Sequence, residues 1–264
     1  MTTAIRVNDQ IITTAEVIPR LTGYGMLPQF LGEVIIEQAI SSIECSSEEN
    51  DRADQEFCTR LHLLTDIAHQ AWLQQHGMTP EQFHNLALRR IKLEKFKQAT
   101  WSNQVESYFQ KHKAQLDRVI YSIIRTHDPD VARELYFRLQ EGEQSFAELA
   151  REYSQGPEAQ IGGLVGPVEL GVPHPVLAGI LSSIQVGQVS LPTHLQEWVV
   201  IVRLDKFIHA QLDELMHHRL VNELFSKWLQ EKIQELTAVY LRDTSEISTD
   251  SDHFPSLAAQ HNLV

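Results

Sequence analysis

Apolar positions recur at helical spacing through residues 14–114 and again near Leu212 to Leu241, with a stretch of different pattern between them. At the start, Ile5 to Ile12 predicts a short strand pair around Asn8 and Asp9. Thr13 and Glu16 have capping-box spacing and open a short helix that Pro19 is expected to kink or end. Leu27, Phe30, Leu31, Val34, Ile35 and Ala39 predict the next helix. Ser46 to Glu49 reads as a cap into another, with Phe57, Leu61, Leu64, Ala68 and Trp72 on one apolar face that Gly77 ends. Thr79, Pro80 and Gln82 supply an N-cap, a proline at the first helical position and a box partner. Phe83, Leu86, Ile91 and Phe96 follow, and a short helix fits Gln104 to Lys113.

The pattern changes at Asp117. Val119 to Ile124 is apolar and β-branched, which predicts a strand. Pro129 to Gly142, Phe146 to Tyr153 and Pro175 to Ile184 predict helices, with a glycine-rich loop over 156–171. Trp198 to Leu204 predicts a second strand. This β-α-α-α-β order suits a small α+β domain with helices packed on a sheet. The last helix carries Leu212, Leu215, Leu220, Leu224, Trp228, Leu229, Ile233 and Leu236 as a wide apolar stripe, interrupted by Arg219. A stripe of that width needs a partner, and the N-terminal helices are the expected one. The tail from Arg242 is rich in Ser, Thr and Asp and reads as disordered.

Composition narrows the function. Of 264 residues, 42% are hydrophobic and 22% charged, as in an ordinary globular protein. A formal charge of −13 argues against nonspecific nucleic-acid binding. No run approaches the roughly 18 apolar residues of a membrane span. The opening MTTAIRVNDQ lacks a basic segment followed by an apolar one. The two cysteines, Cys45 and Cys58, have no CxxC spacing and suit buried thiols in a reducing compartment. Cytoplasmic residence is therefore expected.

No cofactor or metal is expected either. His217 and His218 point different ways on a helix, and with His209 they make no metal spacing. Gly162, Gly163 and Gly166 have no following GK[ST] and do not form a phosphate loop. His127, His174 and His194 read as solvated loop residues. Trp72, Trp101, Trp198 and Trp228 read as core or interdomain anchors.

The segment from Glu141 to Pro192, which includes EGEQSFAELAREYSQGPEAQIGGLVGPVELG and GQVSLP, resembles the parvulin (PpiC-type) peptidyl-prolyl isomerase domain. Gly142, Phe146, Ala147, Leu149, Ala150, Ser154, Gly162, Gly163, Gly166, Gly187, Ser190 and Pro192 carry the resemblance. The opening IRVNDQIITTAEV is similar to the VNG-x-I-xxxE start of the SurA/PrsA class of foldases, and Val105 to Phe109 to the segment leading into the isomerase strand. The resemblance implies a SurA-N-like helical chaperone domain over 1–115 and an inserted parvulin-like (FKBP-like) antiparallel-sheet domain over 116–206. It also implies a C-terminal helix over 207–241 that returns to the first domain. Residues 242–264 are left as the tail. Unfolded or proline-containing polypeptides are the implied clients, with no nucleic-acid partner and no integral membrane segment.

A prolyl isomerase must lower a rotation barrier of about 18–20 kcal/mol without breaking a bond. It holds the proline ring in an apolar pocket, desolvates the imide carbonyl and favours the twisted imide. The resemblance implies a histidine on the first strand, a histidine on the last and a cysteine or aspartate between them. By flanking motif these positions fall at Ser122, at Val199 (or Trp198 after a slip of one residue) and at Gly156. The pocket positions fall at Val165, Pro173 and Leu177. The polar cluster is thus reduced to a hydroxyl at Ser122, with Tyr121 beside it. Ser122 and Tyr121 are the candidate catalytic residues. Val165, Pro173, Leu177, Trp198 and Val199 are the candidate substrate-binding residues.

Two readings follow. In one, isomerisation survives in weakened form on packing and desolvation. In the other, the domain is an inactive parvulin-like chaperone, or an accessory to peptide maturation or export.

Overall fold

A computed structural model describes residues 3–249, with side chains over 5–236. In chain order the elements are β1 (Thr3–Val7), β2 (Gln10–Thr13), α1 (Thr14–Gly23), α2 (Leu27–Ile40), α3 (Ser47–Arg60), α4 (Asp66–His76), α5 (Pro80–Trp101) and α6 (Val105–Leu116). They continue with β3 (Arg118–Thr126), α7 (Pro129–Glu141), α8 (Phe146–Tyr153), β4 (Leu164–Glu169), α9 (Pro175–Ser183), β5 (Thr193–Leu195), β6 (Trp198–Ile208) and α10 (Glu214–Thr249).

The chain divides into two compact units. One takes the described residues up to Asn103 and those from His218 on; Gln104–His217 forms the other. These divisions differ from the expected 115/116 and 206/207: α6 and the start of α10 belong with the sheet unit. α10 also runs to Thr249, so residues 242–249, expected in the disordered tail, are helical. The rest of that tail, 250–264, lies outside the described residues. No helix among the described residues is long and apolar enough to cross a membrane.

In the helical unit, the expected strand pair is the β1–β2 hairpin, and Thr13 with Glu16 forms a full capping box on α1. Pro19 does not end α1; the helix continues to Gly23, at the loss of one backbone N–H donor. The long helix expected to carry Phe57 through Trp72 is two helices. Leu61 and Leu63 close α3 with backbone bonds back to Phe57 and Cys58, and the Thr65 hydroxyl accepts from Ala68 N to start α4. Leu64 therefore lies in an exposed connection. Phe30 and Leu86, expected inward, are also exposed, as are Leu212, Leu215 and Leu236 from the expected C-terminal stripe.

One core of this unit joins Ala53, Phe57, Leu73, Phe83, Ala87 and Leu88, with Trp72, Cys45 and Cys58 against it. Another joins Ile36, Ile40, Trp101 and Phe225, with Trp228 and Leu229 against it, so the C-terminal helix does return to the N-terminal ones. Lys97 is buried in that contact. Its ammonium donates to Glu94 (2.8 Å) and Asn222 (2.9 Å) and lies 4.9 Å from the Phe225 ring centroid.

The other unit is built on a four-stranded antiparallel sheet in the order β4-β3-β6-β5. The two central strands are apolar on both faces. Val119, Tyr121 and Ile123 of β3, with Val200, Val202 and Leu204 of β6, face α9 through Leu177 and Leu181. Ile124 of β3, with Val199 and Ile201 of β6, faces α7 and α8 through Ala132, Leu135, Phe146, Leu149 and Ala150. The glycine-rich loop of the sequence is in part a strand, β4. Gly163 and Gly166 have positive φ, and a Cβ on either would come within 2.6 Å of a β3 carbonyl oxygen, so only glycine lets this strand lie so close.

Candidate active site

Register decides which candidate residues share a face. Tyr121 lies opposite Val165 on one side and Leu204 on the other; Ser122 lies opposite Leu164 and Arg203. Directly paired residues point to the same face and sequence neighbours to opposite ones. Tyr121, Val165, Leu177 and Trp198 accordingly belong to the apolar face under α9, with Val165 beside Tyr121 and Trp198 toward the other end of the strands. Ser122 and Val199 lie on the far face, beneath α7 and α8. Pro173 is half-buried in the turn before α9 and belongs to neither cluster.

Ser122 is fully engaged where it is. Its hydroxyl donates to Asp205 Oδ2 (2.6 Å) and accepts from Arg203 Nη2 (3.4 Å), while Arg203 Nε donates to Asp205 Oδ1 (2.6 Å). The Arg203 guanidinium lies over the Phe146 ring. This is a structural clamp between β3 and β6, and Ser122 itself is buried. Val199 sits at a different opening, a cavity of about 350 Å³ lined by Pro129, Tyr136, Phe137, Leu191 and His194 among others.

On the α9 face the floor is filled. Leu177 and Tyr121 are each only 4% exposed, and burial raises the Tyr121 phenol above its ordinary value. What remains open is the rim. Half-exposed Trp198 stacks on His127 with ring centroids 3.9 Å apart, and His127 Nδ1 lies 3.0 Å from the Glu197 carbonyl oxygen. Val165 is half-buried beside Tyr121.

Between these ends stands Arg125, paired across β6 with Val200 and therefore on the same face as Tyr121 and Ile123. Its Nε meets Glu158 Oε1 at 2.7 Å. Arg125 and Glu158 were not among the candidates. The signal available in sequence was parity along β3: Tyr121, Ile123 and Arg125 share one side if Tyr121 faces the pocket. His127 is an exposed loop residue, as expected, and stacks on Trp198. His174 caps α9, its Nδ1 accepting from Val176 N (3.3 Å).

The arrangement offers an apolar face with an indole at one end and the Arg125–Glu158 ion pair beside it. Such a face can receive a proline ring and remove water from the carbonyl before it.

Residues 127–206 match the model of the family described as Rotamase: PPIC-type PPIASE domain. The foldase protein PrsA of Halalkalibacterium halodurans is 27% identical over 96% of this chain and 78% of its own length. The chaperone SurA of Alkalilimnicola ehrlichii is 32% identical over 37% of this chain and 25% of its own length. Among solved structures, the parvulin domain of PpiD from E. coli is 32% identical, covering 38% of this chain and 97% of that domain, with a TM-score of 0.33. The Bacillus cereus peptidylprolyl isomerase PrsA is 20% identical, covering 97% of this chain and 94% of that one, with a TM-score of 0.45. The rotamase match thus falls within the sheet unit, and the similarity to the foldase protein PrsA runs along nearly the whole chain.

Proposed function

We propose that the sheet unit is a peptidyl-prolyl cis-trans isomerase acting on polypeptide clients, with its substrate groove on the α9 face of the sheet. The observation that carries the location is the shared face of Tyr121, Val165, Leu177 and Trp198. Val165 packs the proline ring over the buried floor of Leu177 and Tyr121, and Trp198 flanks the client chain at the other end of the same face. Ser122 and Val199 have no part in this groove.

The planar imide carries partial negative charge on its carbonyl oxygen and partial positive charge on nitrogen; the twisted imide loses that separation. A surface that strips water from the carbonyl raises the planar form more than the twisted one. Isomerisation then needs no proton transfer. The helical unit supplies the chaperone body, and a cytoplasmic site of action is part of the same proposal. What supports the latter is the pair of unbridged, half-buried cysteines.

A protease-coupled or NMR exchange assay on a panel of Xaa-Pro peptides tests the groove. Wild type accelerates isomerisation, and Trp198→Ala lowers kcat/KM by about tenfold or more, since an aromatic wall contributes roughly 1–2 kcal/mol. Wild type that suppresses aggregation of an unfolded client without any rate above background removes the enzyme from this reading. Trp198→Ala with unchanged kcat/KM removes the groove.

A further inference from the structure

Gly156 has no conformational need to be glycine. Its backbone is extended (φ −85, ψ 161), a region open to every L-residue. What it lacks is room. A Cβ built there would lie 2.7 Å from Glu158 Cδ and Oε2, and closer still to Oε1. The carboxylate of Glu158 therefore folds back into the volume that a side chain at position 156 would fill.

That carboxylate is 7% exposed, an unusual place for a charge. Among the described residues its cationic contact is Arg125, on the α9 face of β3, and the 2.7 Å approach runs off the N–H direction, so neither Glu158 Oε1 nor Arg125 Nε makes a hydrogen bond. A buried ion pair with an unsatisfied acceptor is a poor stabilising device, because desolvation offsets the attraction. The pair reaches the substrate face through Arg125, which pairs with Val200 across β6 and so shares the face of Tyr121 and Ile123.

We propose that Glu158, held by Arg125, is the electrostatic residue of the isomerase groove, delivering its carboxylate from two residues beyond the position that Gly156 leaves empty. The assignment rests on reading the α9 face as the substrate groove. A fixed negative charge beside that groove repels the partial charge of a planar imide oxygen and spares the twisted imide, so it acts on the rate of rotation. Arg125 is a positioning residue: it holds the carboxylate and limits its repulsion toward the rest of the client.

The test transposes the charge. Glu158→Gln, Glu158→Ala, the double variant Gly156→Asp with Glu158→Ala, and Trp198→Ala are assayed on Xaa-Pro peptides, each with its thermal midpoint. Glu158→Gln and Glu158→Ala are expected to lower kcat about tenfold, with KM little changed. The double variant, whose new carboxylate grows into the vacated volume, is expected to recover most of that loss. A kcat for Glu158→Gln equal to wild type, whatever its thermal midpoint, overturns the proposal, and so does a double variant no better than Glu158→Ala. If Trp198→Ala loses activity while the Glu158 variants keep it, the groove stands and only this assignment falls. If neither substitution changes the rate, both fall.

Discussion

The central strands of the sheet unit bury apolar side chains on both faces, yet the faces differ in how they are covered. Beneath α7 and α8, two helices cover the centre of the sheet, where Phe146, Leu149, Ala150 and Ile201 are almost wholly excluded from water, and a cavity beside Val199 opens only at the margin. Beneath α9, one helix covers the sheet and leaves the end where Trp198, His127 and Arg125 reach solvent. The closed face holds the fold; the half-closed face has an edge at which apolar surface, an indole and a charge pair lie together. A shallow groove needs this incompleteness, since a second helix would fill it.

Substitutions on the closed face test that division. Phe146→Ala is expected to have the largest effect on stability, about 3–5 kcal/mol for an aromatic core truncation, measured by urea unfolding. Its kcat/KM, corrected for the folded fraction, is expected to match wild type. A catalytic loss as large as that of Trp198→Ala, in protein that remains folded, would erase the distinction between the faces.

Ser122→Ala comes next. It removes a donor to Asp205, while Arg203 continues to hold that carboxylate. The expected cost is about 1–2 kcal/mol in unfolding free energy, with unchanged isomerisation. A fall in kcat without a fall in stability would return Ser122 to the catalytic candidates.

Ser145→Ala sharpens the same picture at the start of α8. The Ser145 hydroxyl accepts from Glu148 N, and the Ser145 N–H and hydroxyl donate to the Glu148 carboxylate. Losing the cap is expected to cost about 1 kcal/mol at neutral pH. The Ser145 N–H first, and its hydroxyl second, hold the Glu148 carboxyl below its ordinary value. A lowered carboxyl stabilises the fold above its unfolded value and loses that contribution as pH falls through the folded value. The gap between wild type and Ser145→Ala should therefore narrow as the solution is acidified below the ordinary carboxylate range. A gap that widens instead would place the hydroxyl's effect outside this cap.

Much of the sheet unit could be read from the chain because its pieces announce themselves. β3 and β6 are long β-branched runs, and α8 lies between Ser145 and Ser154 as expected. β4 and β5 escaped because they are short, partly exposed edges, one interrupted by Gly166 and Pro167 and the other only three residues long. The break between α3 and α4 escaped because Leu61 and Leu64 keep helical spacing by coincidence. The harder problem was the face. A central strand buried on both sides has no alternation to show which residues point to which helix, and a slip of one residue exchanges them all. Ser122 and Tyr121 were equally good candidates until the pairing with Val165 distinguished them. Glu158 was invisible for a related reason: its role depends on folding back over Gly156, which no linear motif records.

The chain order of the two units has a consequence for synthesis. The core of Ile36, Ile40 and Trp101 closes on Phe225, with Trp228 against it, and the whole sheet unit is translated in between. At ~5–20 residues per second that interval is on the order of ten seconds. A ribosome therefore presents the isomerase as a contiguous, foldable segment while the helical body still displays the apolar surface that its own last helix will cover. During that interval the body is itself an unfinished chain, in the condition of the clients that the finished protein serves.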